Sequence, residues 1–467
     1  MGFQDLTPPT TELEIFHGLE MCKNITPLPQ DVMDSMNAKY AKSWHGNMAI
    51  ILNLDRPSNE LGYKEIGIMT HADFKKGLAD KRVNVGEKGR LMEVSELWLQ
   101  DSRARRYEDT QFHPFGIDGE DPCLKYNKNV FNLWTGFQYE PRVGDCKQYL
   151  YLVEKILCGG DEKEFDWLLK WAASTIQKPD TKLGTAPAFI GAQGTGKGCF
   201  VSHLGALHGK SYKHVTNEDQ IIGRFNLHLC DATIIFLDEA CISNVKAADK
   251  IKGLITEKAQ MLEGKGLACV QTRSYSNIIL ASNHEHSALS IQNGDRRFVL
   301  FSPSTTMKGN TDFWESLNKE MLQDGGREAL LHVLNNVNLE GWSARQKPDS
   351  ERMRIQTFDM ATSSMPAVDK WLFHTLSTGT FPFDREPGGK IAQEDLYSAF
   401  STFASASQLS DKTTNIRHFG QGLKRSLPMT MIDHGVRNKK RVKSFKGLDA
   451  CRKEFETKHQ VGDSVWN

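Results

Sequence analysis

The chain has no long apolar run, no Cys-x-x-Cys pair and no excess of either charge. Its 467 residues hold 58 Lys and Arg against 58 Asp and Glu, so any affinity for nucleic acid must come from local patches. No stretch near about eighteen apolar residues occurs, and the amino-terminal segment lacks the charged-then-apolar order of a signal peptide. The nine cysteines predict neither a zinc site nor a disulfide framework. We therefore expect a soluble, multidomain cytoplasmic protein with no membrane partner.

A glycine-rich stretch, Gly191 to Gly198, separates an apolar run from a helix-like segment that starts at Cys199. In such a loop, successive backbone N–H groups turn toward phosphates, the following helix adds its positive end and a Lys reaches the terminal phosphates. The alternative is an ordinary strand-to-helix turn. The residues predicted to bind the nucleotide are Gly191, Gln193, Gly194, Thr195, Gly196, Lys197, Gly198 and Cys199.

Gly198 departs from the usual pattern, because the residue after the Lys is normally a Ser or Thr whose hydroxyl binds Mg²⁺. ATP and Mg²⁺ are the expected cofactors, and the metal must then find another ligand. The apolar run 233–237 reads as a buried strand and ends in Asp238 and Glu239. Asp238 is predicted to hold the metal and Glu239 to polarise an attacking water; solvated acids that cap a strand are the alternative.

Three further polar side chains lie at the ends of the next apolar runs. Asn283 follows the run 277–281 and is predicted to sense the bound nucleotide, although a lone Asn at a strand end is usually a turn former. Arg296 precedes the run 299–301 and is the preferred trans-acting Arg for a neighbouring subunit's nucleotide, with Arg297 as runner-up. An Arg pair held by a salt bridge at the sheet edge is equally compatible.

The order and spacing of these motifs resemble those of the superfamily 3 helicases, in particular the phage and plasmid primase-helicases related to the poxvirus primase-helicase. The resemblance covers roughly residues 120–345 and is looser toward the carboxyl terminus. The segments that carry it are 130–137, 167–172, 191–198, 238–239, 252–266, 281–283 and 295–298.

This resemblance implies an α/β fold with an AAA+-like P-loop ATPase core on a parallel sheet. It also implies a ring of subunits, usually six, that threads single-stranded DNA past a hairpin from each subunit. Independently of the resemblance, residues 259–272 are predicted to form two strands around a Gly-flanked turn, with Lys265 at the tip. Arg273 follows the hairpin in sequence and is a weaker candidate. Both are predicted to bind DNA, and a solvated surface hairpin is the alternative.

Two regions flank the core upstream. Residues 1–115 form a mixed region of unclear role, with a strand predicted at 48–54. Nucleotidyl transfer by a primase-polymerase needs clustered acidic metal ligands in such a region. None occurs there, and Asp55 follows the strand alone, so we expect no nucleotidyl transfer. Residues 116–180 show apolar residues at spacings of three and four, which predicts helices. The resemblance implies that these helices form a collar that helps the ring assemble. The alternative is a pair of helices packed on the ATPase sheet. The tryptophans of this segment are predicted to be core or interface residues rather than platforms for stacking bases.

The carboxyl-terminal part, 366–467, follows an ATPase domain expected at 181–345. Two amphipathic helices and a two-strand wing with its turn at Gly435 predict a winged-helix-like DNA-binding domain. Basic residues crowd the wing, and a merely solvated charged surface is the alternative. The wing residues predicted to bind DNA are Lys439, Lys440 and Arg441.

Taken together, the sequence predicts an ATP-dependent DNA helicase for phage or plasmid replication, acting on single-stranded and forked DNA in the bacterial host cytoplasm, with a possible separate primase or polymerase. Two other classes remain open. One is an ATP-dependent DNA-binding loader or regulatory switch without unwinding activity. The other is a small-molecule kinase, in which Asn283 and the basic carboxyl-terminal domain have no obvious purpose.

Overall fold

The computed structural model describes residues 27–45, 48–55, 62–63, 65–85, 89–116, 128–217, 219–223, 226–239, 245–263, 270–283, 295–350, 352–353, 365–407, 415–437, 439–459 and 466. The chain divides into two compact units, Met1–His113 with Gly119–Thr135 and Pro114–Asp118 with Gly136–Asn467. Within the described ranges, no helix combines the length and the apolar character needed to cross a bilayer.

The smaller unit is mixed α/β, with a three-stranded antiparallel sheet in the order β1-β2-β3. The strand predicted at 48–54 is β2, whose central residues are fully buried. Asp55 lies 3.9 Å from Lys39 Nζ at the surface. The elements are α1 (Gln30–Lys39), β1 (Tyr40–His45), β2 (Met48–Asn53), β3 (Gly67–Met69), α2 (His71–Gly77), β4 (Arg82–Val85), β5 (Arg90–Glu93), α3 (Val94–Gln100), β6 (Asp109–Gln111) and β7 (Val130–Asn132).

The larger unit opens with the predicted helices: α4 (Lys147–Tyr151), a π-helical continuation (Leu152–Leu157) and α5 (Glu162–Gln177). Asp161 starts α5 because its carboxylate accepts hydrogen bonds from two first-turn N–H groups. Trp167 and Trp171 of α5 are buried core residues, as predicted, and so is Trp134 of the smaller unit.

A five-stranded sheet, parallel throughout, forms the centre of this unit. Its strand order is β14 (Phe298–Phe301), β8 (Ala186–Ile190), β13 (Asn277–Ser282), β10 (Ile234–Asp238) and β9 (Tyr212–Val215). Successive side chains of one strand enter different cores: Ile234 and Phe236 pack on one face, Ile235 and Leu237 on the other. Burial on both faces explains why these strands read as continuous apolar runs. The α/β class is therefore confirmed, while the AAA+-like identity of the core stays a prediction.

The elements of this central part are β8 (Ala186–Ile190), α6 (Lys197–His208), β9 (Tyr212–Val215), α7 (Asp219–Ile222), β10 (Ile234–Asp238), α8 (Val245–Thr256), β11 (Ala259–Leu262), β12 (Val270–Arg273), β13 (Asn277–Ser282), β14 (Phe298–Phe301), α9 (Thr311–Leu322) and α10 (Gly326–Asn335). Strands β11 and β12 pair antiparallel, with Ala259 opposite Arg273, so the predicted hairpin is present. Its tip, with Lys265, lies outside the described residues.

The carboxyl-terminal part packs four helices and a small sheet around aromatic side chains. Phe419 lies 5.6 Å from Trp371 and 5.0 Å from Phe400, centroid to centroid. The wing is present, but its turn is not at Gly435. Strand β16 continues through Gly435 with a register irregularity, because a glycine there permits a bulge. The elements are α11 (Ala367–Thr378), β15 (Ile391–Ala392), α12 (Gln393–Ala406), α13 (Ile416–Ser426), β16 (Met431–Arg437), β17 (Lys440–Phe445) and α14 (Leu448–His459).

Candidate functional site

The glycine-rich loop runs from the carboxyl end of β8 to the first turn of α6. Gly194 and Gly196 have φ angles of 80° and 87°, in the left-handed region that favours glycine. Thr195 is buried between them and donates its hydroxyl hydrogen to Ala192 O at 3.0 Å. This is the strand-turn-helix setting that the sequence predicted for phosphate binding.

Lys197 is folded back onto its own loop. Its ammonium donates hydrogen bonds to Gly191 O at 2.7 Å, Ala192 O at 2.8 Å and Asn283 Oδ1 at 2.9 Å. Burial lowers the pKa of Lys197, and the charges of Asp238 and Glu239 oppose that shift. The three hydrogen bonds hold the ammonium at the loop, where a phosphate bound by the N–H groups would meet it.

Asn283 connects the loop to the acidic end of β10. Its Nδ2 donates to Glu239 Oε1 at 2.6 Å while its Oδ1 accepts from Lys197. Strands β10 and β13 are adjacent and parallel, with Asp238 opposite Ala281, so the residues after both strands meet at one edge. Glu239 has a φ of 53°, a rare conformation for a residue with a side chain. The structure thus brings Lys197, Asn283 and Glu239 into one chain of hydrogen bonds.

His214 joins this edge, although the sequence analysis did not select it. Its Nε2 lies 3.2 Å from Asp238 Oδ2, and its ring stacks on Phe236 at 5.0 Å. Strand β9 pairs with β10 in parallel, with His214 opposite Phe236, and this pairing places the imidazole beside the carboxylate. The only sequence signal was a His near the end of a short polar strand.

The donors available for Mg²⁺ are carboxylates. Gly198 has no hydroxyl, and the Thr195 side chain is buried within the loop. Within the described ranges, no group of three or more His, Cys, Asp and Glu forms a metal cluster. Asp238 and Glu239 still fit Mg²⁺, because this ion commonly takes one or two carboxylates and completes its shell with water and substrate phosphates.

The remaining loop residues differ in exposure. Gln193 and Gly198 are exposed at the rim of the loop. Cys199 is half-buried on the first turn of α6, and burial raises the pKa of its thiol to about 11. That thiol is therefore protonated at neutral pH and has no reactive thiolate to offer.

Within one subunit, Arg296 and Arg297 lie at the opposite edge of the sheet from Lys197. Phe298 pairs with Ala186 and Phe301 with Phe189, so the residues before β14 are at the amino edge of the sheet, opposite the phosphate loop. Arg297 Nη1 lies 3.2 Å from Asp295 Oδ2, and Arg296 is exposed. A role at a neighbouring subunit's site stays a prediction.

The predicted DNA-binding cations fall into two groups. Arg273 ends β12, with its guanidinium 5.6 Å from the Tyr275 ring centroid. Lys439, with a φ of 62°, and Lys440 are exposed where β16 turns into β17. Arg441 lies 3.7 Å from Asp433, and the neighbouring Lys443 is buried and pairs with the same carboxylate at 3.2 Å.

Comparison with known proteins gives similarities of three kinds. Residues 189–297 match the model of a family of unknown function, DUF5906. The chain is 27% identical over 181 residues, 38% of its length, to a DNA primase-polymerase of Nitratiruptor phage NrS-1; that match spans 23% of the relative. Two solved apo structures of the NrS-1 C-terminal region share the fold of this chain, each with a TM-score of 0.59 and 14% sequence identity. The matches cover 89% of this chain and 99% and 98% of the two solved chains.

These similarities correct the functional prediction. The curated relative is a DNA primase-polymerase, and the matching family model carries no function, so the predicted ATP-dependent helicase, with its ATP hydrolase activity, is wrong. What holds is the relation to a phage replication protein. The relative's activity also runs against the expectation that the chain has no part in nucleotidyl transfer.

Proposed function

We propose that this chain takes part in priming and extending DNA in phage-type replication, with a nucleoside triphosphate bound at the Gly191 to Gly198 loop. The observation that carries the proposal is the hydrogen-bonded series Lys197, Asn283 and Glu239 at the carboxyl edge of a parallel sheet. It lies within the part of the chain that matches the family model, 189–297. Ligands of open α/β sheets bind outside the carboxyl ends of the strands.

Each group at this edge has a part in holding the triphosphate. The loop N–H groups and the amino end of α6 face the phosphates, and the Lys197 ammonium balances their charge. Asp238 and Glu239 would hold Mg²⁺, which would screen the phosphate charge. Asn283 couples the occupancy of the Lys197 site to the position of Glu239, because one amide contacts both side chains.

DNA is the partner that the second group of cations fits. Lys439 and Lys440 are exposed at the tip of the wing, where no carboxylate of the described residues lies within ion-pair distance of either ammonium. Exposed cations at a hairpin tip bind backbone phosphates without reading the sequence. Arg273 is a second candidate for such a contact, at the end of β12 where it pairs with Ala259.

The test of the function is DNA synthesis by the purified chain. Single-stranded templates, with and without a primer, are incubated with nucleoside triphosphates and Mg²⁺, and incorporation is followed on a denaturing gel. We expect incorporation by the chain and at least a tenfold loss in Lys197→Ala. If the folded chain incorporates nothing on either template, the proposed part in priming and extension is wrong.

The domain limits and the assembly are also proposals. We assign 1–115 to a mixed α/β region, 116–180 to a helical oligomerisation segment, 181–345 to the nucleotide-binding domain and 366–467 to a winged-helix-like DNA-binding domain. The helices of the second segment lie between Lys147 and Gln177, whereas 119–135, with strand β7, belongs to the smaller unit. Limited proteolysis should cut between these parts. Light scattering of the protein with ATP and single-stranded or forked DNA tests for a ring of six; a monomer under all conditions contradicts the ring.

A further inference from the structure

The segment after β14, residues 302–310, passes directly beside the phosphate loop. A Cβ atom built on Gly191 would lie 3.5 Å from Pro303 Cδ. A Cβ built on Gly194 would lie 3.7 Å from Lys308 Cγ and 4.0 Å from Lys308 Cε. The stem of Lys308 therefore lies against the loop at Gly194, a position where its ammonium is close to anything that the loop binds.

This segment is held from both ends. The backbone N–H of Ser304 donates to Ile156 O at 2.7 Å, and the N–H of Lys308 donates to Thr305 O at 3.0 Å. Trp314 of α9 donates its indole N–H to Met307 O at 3.0 Å. The same indole packs under the loop, since a Cβ on Gly196 would lie 2.7 Å from Trp314 Cη2. The backbone that carries Lys308 and the loop are thus fixed relative to one another.

The two lysines at the loop differ in their surroundings. Lys197 is buried and donates three hydrogen bonds within the protein. Lys308 is exposed, and among the described residues no carboxylate lies within ion-pair distance of it. A flexible ammonium without an acidic partner next to an anion-binding loop is available to an anion.

We propose that Lys308 is a second phosphate-binding cation, which contacts the outer phosphates of the bound nucleotide from the Gly194 side while Lys197 contacts them from the Gly191 side. The inference rests on the proposed triphosphate site and extends it to specificity. Each added phosphate brings charge toward Lys308, so this residue favours triphosphates over diphosphates, and diphosphates over monophosphates.

The experiment measures binding of ATP, ADP and AMP by calorimetry at fixed ionic strength, in the wild type, Lys308→Ala and Lys308→Arg. Lys319→Ala is the matched control, because Lys319 is an exposed lysine on the neighbouring helix α9. We expect Lys308→Ala to weaken ATP binding about tenfold and AMP binding less than twofold, with most of the ATP affinity restored in Lys308→Arg. The control should match the wild type.

The outcomes separate this inference from the proposed function. If Lys197→Ala abolishes ATP binding while Lys308→Ala and Lys319→Ala bind ATP as the wild type does, the triphosphate site stands and the role of Lys308 is overturned. An equal loss for ATP and AMP in Lys308→Ala also overturns it, because the contact is then not with the outer phosphates. If the wild type binds no triphosphate, both proposals are wrong.

Discussion

Asn283 accepts a hydrogen bond from the Lys197 ammonium at 2.9 Å, although the two residues are 86 positions apart in the chain. The same amide donates to Glu239, so one side chain contacts both the cation and the anion of the site. An amide is suited to this position because it donates and accepts at once, which neither a carboxylate nor an aliphatic side chain does.

Asn283→Leu keeps the approximate size of the side chain and removes both hydrogen bonds. We expect ATP affinity to fall about tenfold, because Lys197 and Glu239 lose the group that fixes them. Asn283→Asp should weaken binding further, since a carboxylate there repels Glu239 and the phosphates. Calorimetry with ATP measures both, and unchanged affinity in Asn283→Leu would contradict the bridging role.

Gly196→Ala should damage the loop, whereas Gly198→Ala should not. At Gly196 the φ is 87°, and an added Cβ would lie 2.6 Å from Leu152 Cδ1 and 2.7 Å from Trp314 Cη2. Gly198 lies in α6 with no heavy atom within 4 Å of an added Cβ. Urea unfolding should show a loss of about 2 kcal/mol or more for Gly196→Ala. Gly198→Ala should be neutral or stabilising by up to about 1 kcal/mol.

Glu164→Ala should destabilise the larger unit. The Glu164 carboxylate is fully buried and accepts hydrogen bonds from Ser350 Oγ at 2.7 Å and Arg352 Nη1 at 3.1 Å. We expect a loss of about 2–3 kcal/mol in the free energy of unfolding, because Arg352 loses its buried anionic partner. Asp166→Ala is the matched control: it breaks the exposed pair with Lys170 on the same helix and should cost about 0.5 kcal/mol or less. Equal effects would refute the distinction.

The stability of the larger unit should fall as the pH drops below about 6.5. Burial lowers the pKa of His208 to about 3, with its ring nitrogens 3.2 Å from Thr175 Oγ1 and 2.9 Å from Thr233 Oγ1. Between about pH 6.5 and 3 the unfolded chain binds a proton at this residue that the folded chain does not, so protonation favours unfolding. At pH 5 this costs about 2 kcal/mol.

Thermal unfolding of the wild type and His208→Gln across that pH range checks the point. His203 contributes in the same direction, because burial and the nearby charge of Arg327 lower its pKa to about 4. The substitution should therefore reduce the slope of stability against pH without flattening it. An unchanged slope would show that His208 is not the source.

Replacing Lys439 and Lys440 together by Ala should weaken binding of single-stranded DNA and lower its salt dependence. Each lost phosphate contact should reduce the slope of log affinity against log salt by about 0.7. Lys443→Met is the contrast, since Lys443 is buried beside Asp433 and should affect stability rather than the slope. Fluorescence anisotropy over a salt series measures the slopes, and equal slopes in all three proteins would exclude the wing tip as a DNA contact.

The helicase prediction failed for a physical reason. The three motifs are a phosphate loop at Lys197, acids at Asp238 and an amide at Asn283. They indicate a triphosphate site at the edge of a sheet, and proteins with many different activities have such a site. The motifs contain no information on what the triphosphate is used for. The resemblance supplied that step, and the relation to a primase-polymerase corrects it.

The sequence by itself determined the local elements. Apolar runs predict strands β8, β10, β13 and β14, which are buried on both faces of the sheet. The glycines before α6 predict the loop, because its backbone has positive φ angles that favour glycine. These features depend on neighbours in the chain, so their pattern is visible in the order of residues.

Only the tertiary structure decided which distant side chains meet. Parallel pairing of β9, β10 and β13 places His214 beside Asp238 and Asn283 beside Lys197. The residues before β14 lie at the amino edge of the sheet, opposite this site. The close approach of Lys308 to Gly194 depends on the packing of α9 under the loop. Strand order and helix packing are set by the burial of the whole core, and no local pattern records them.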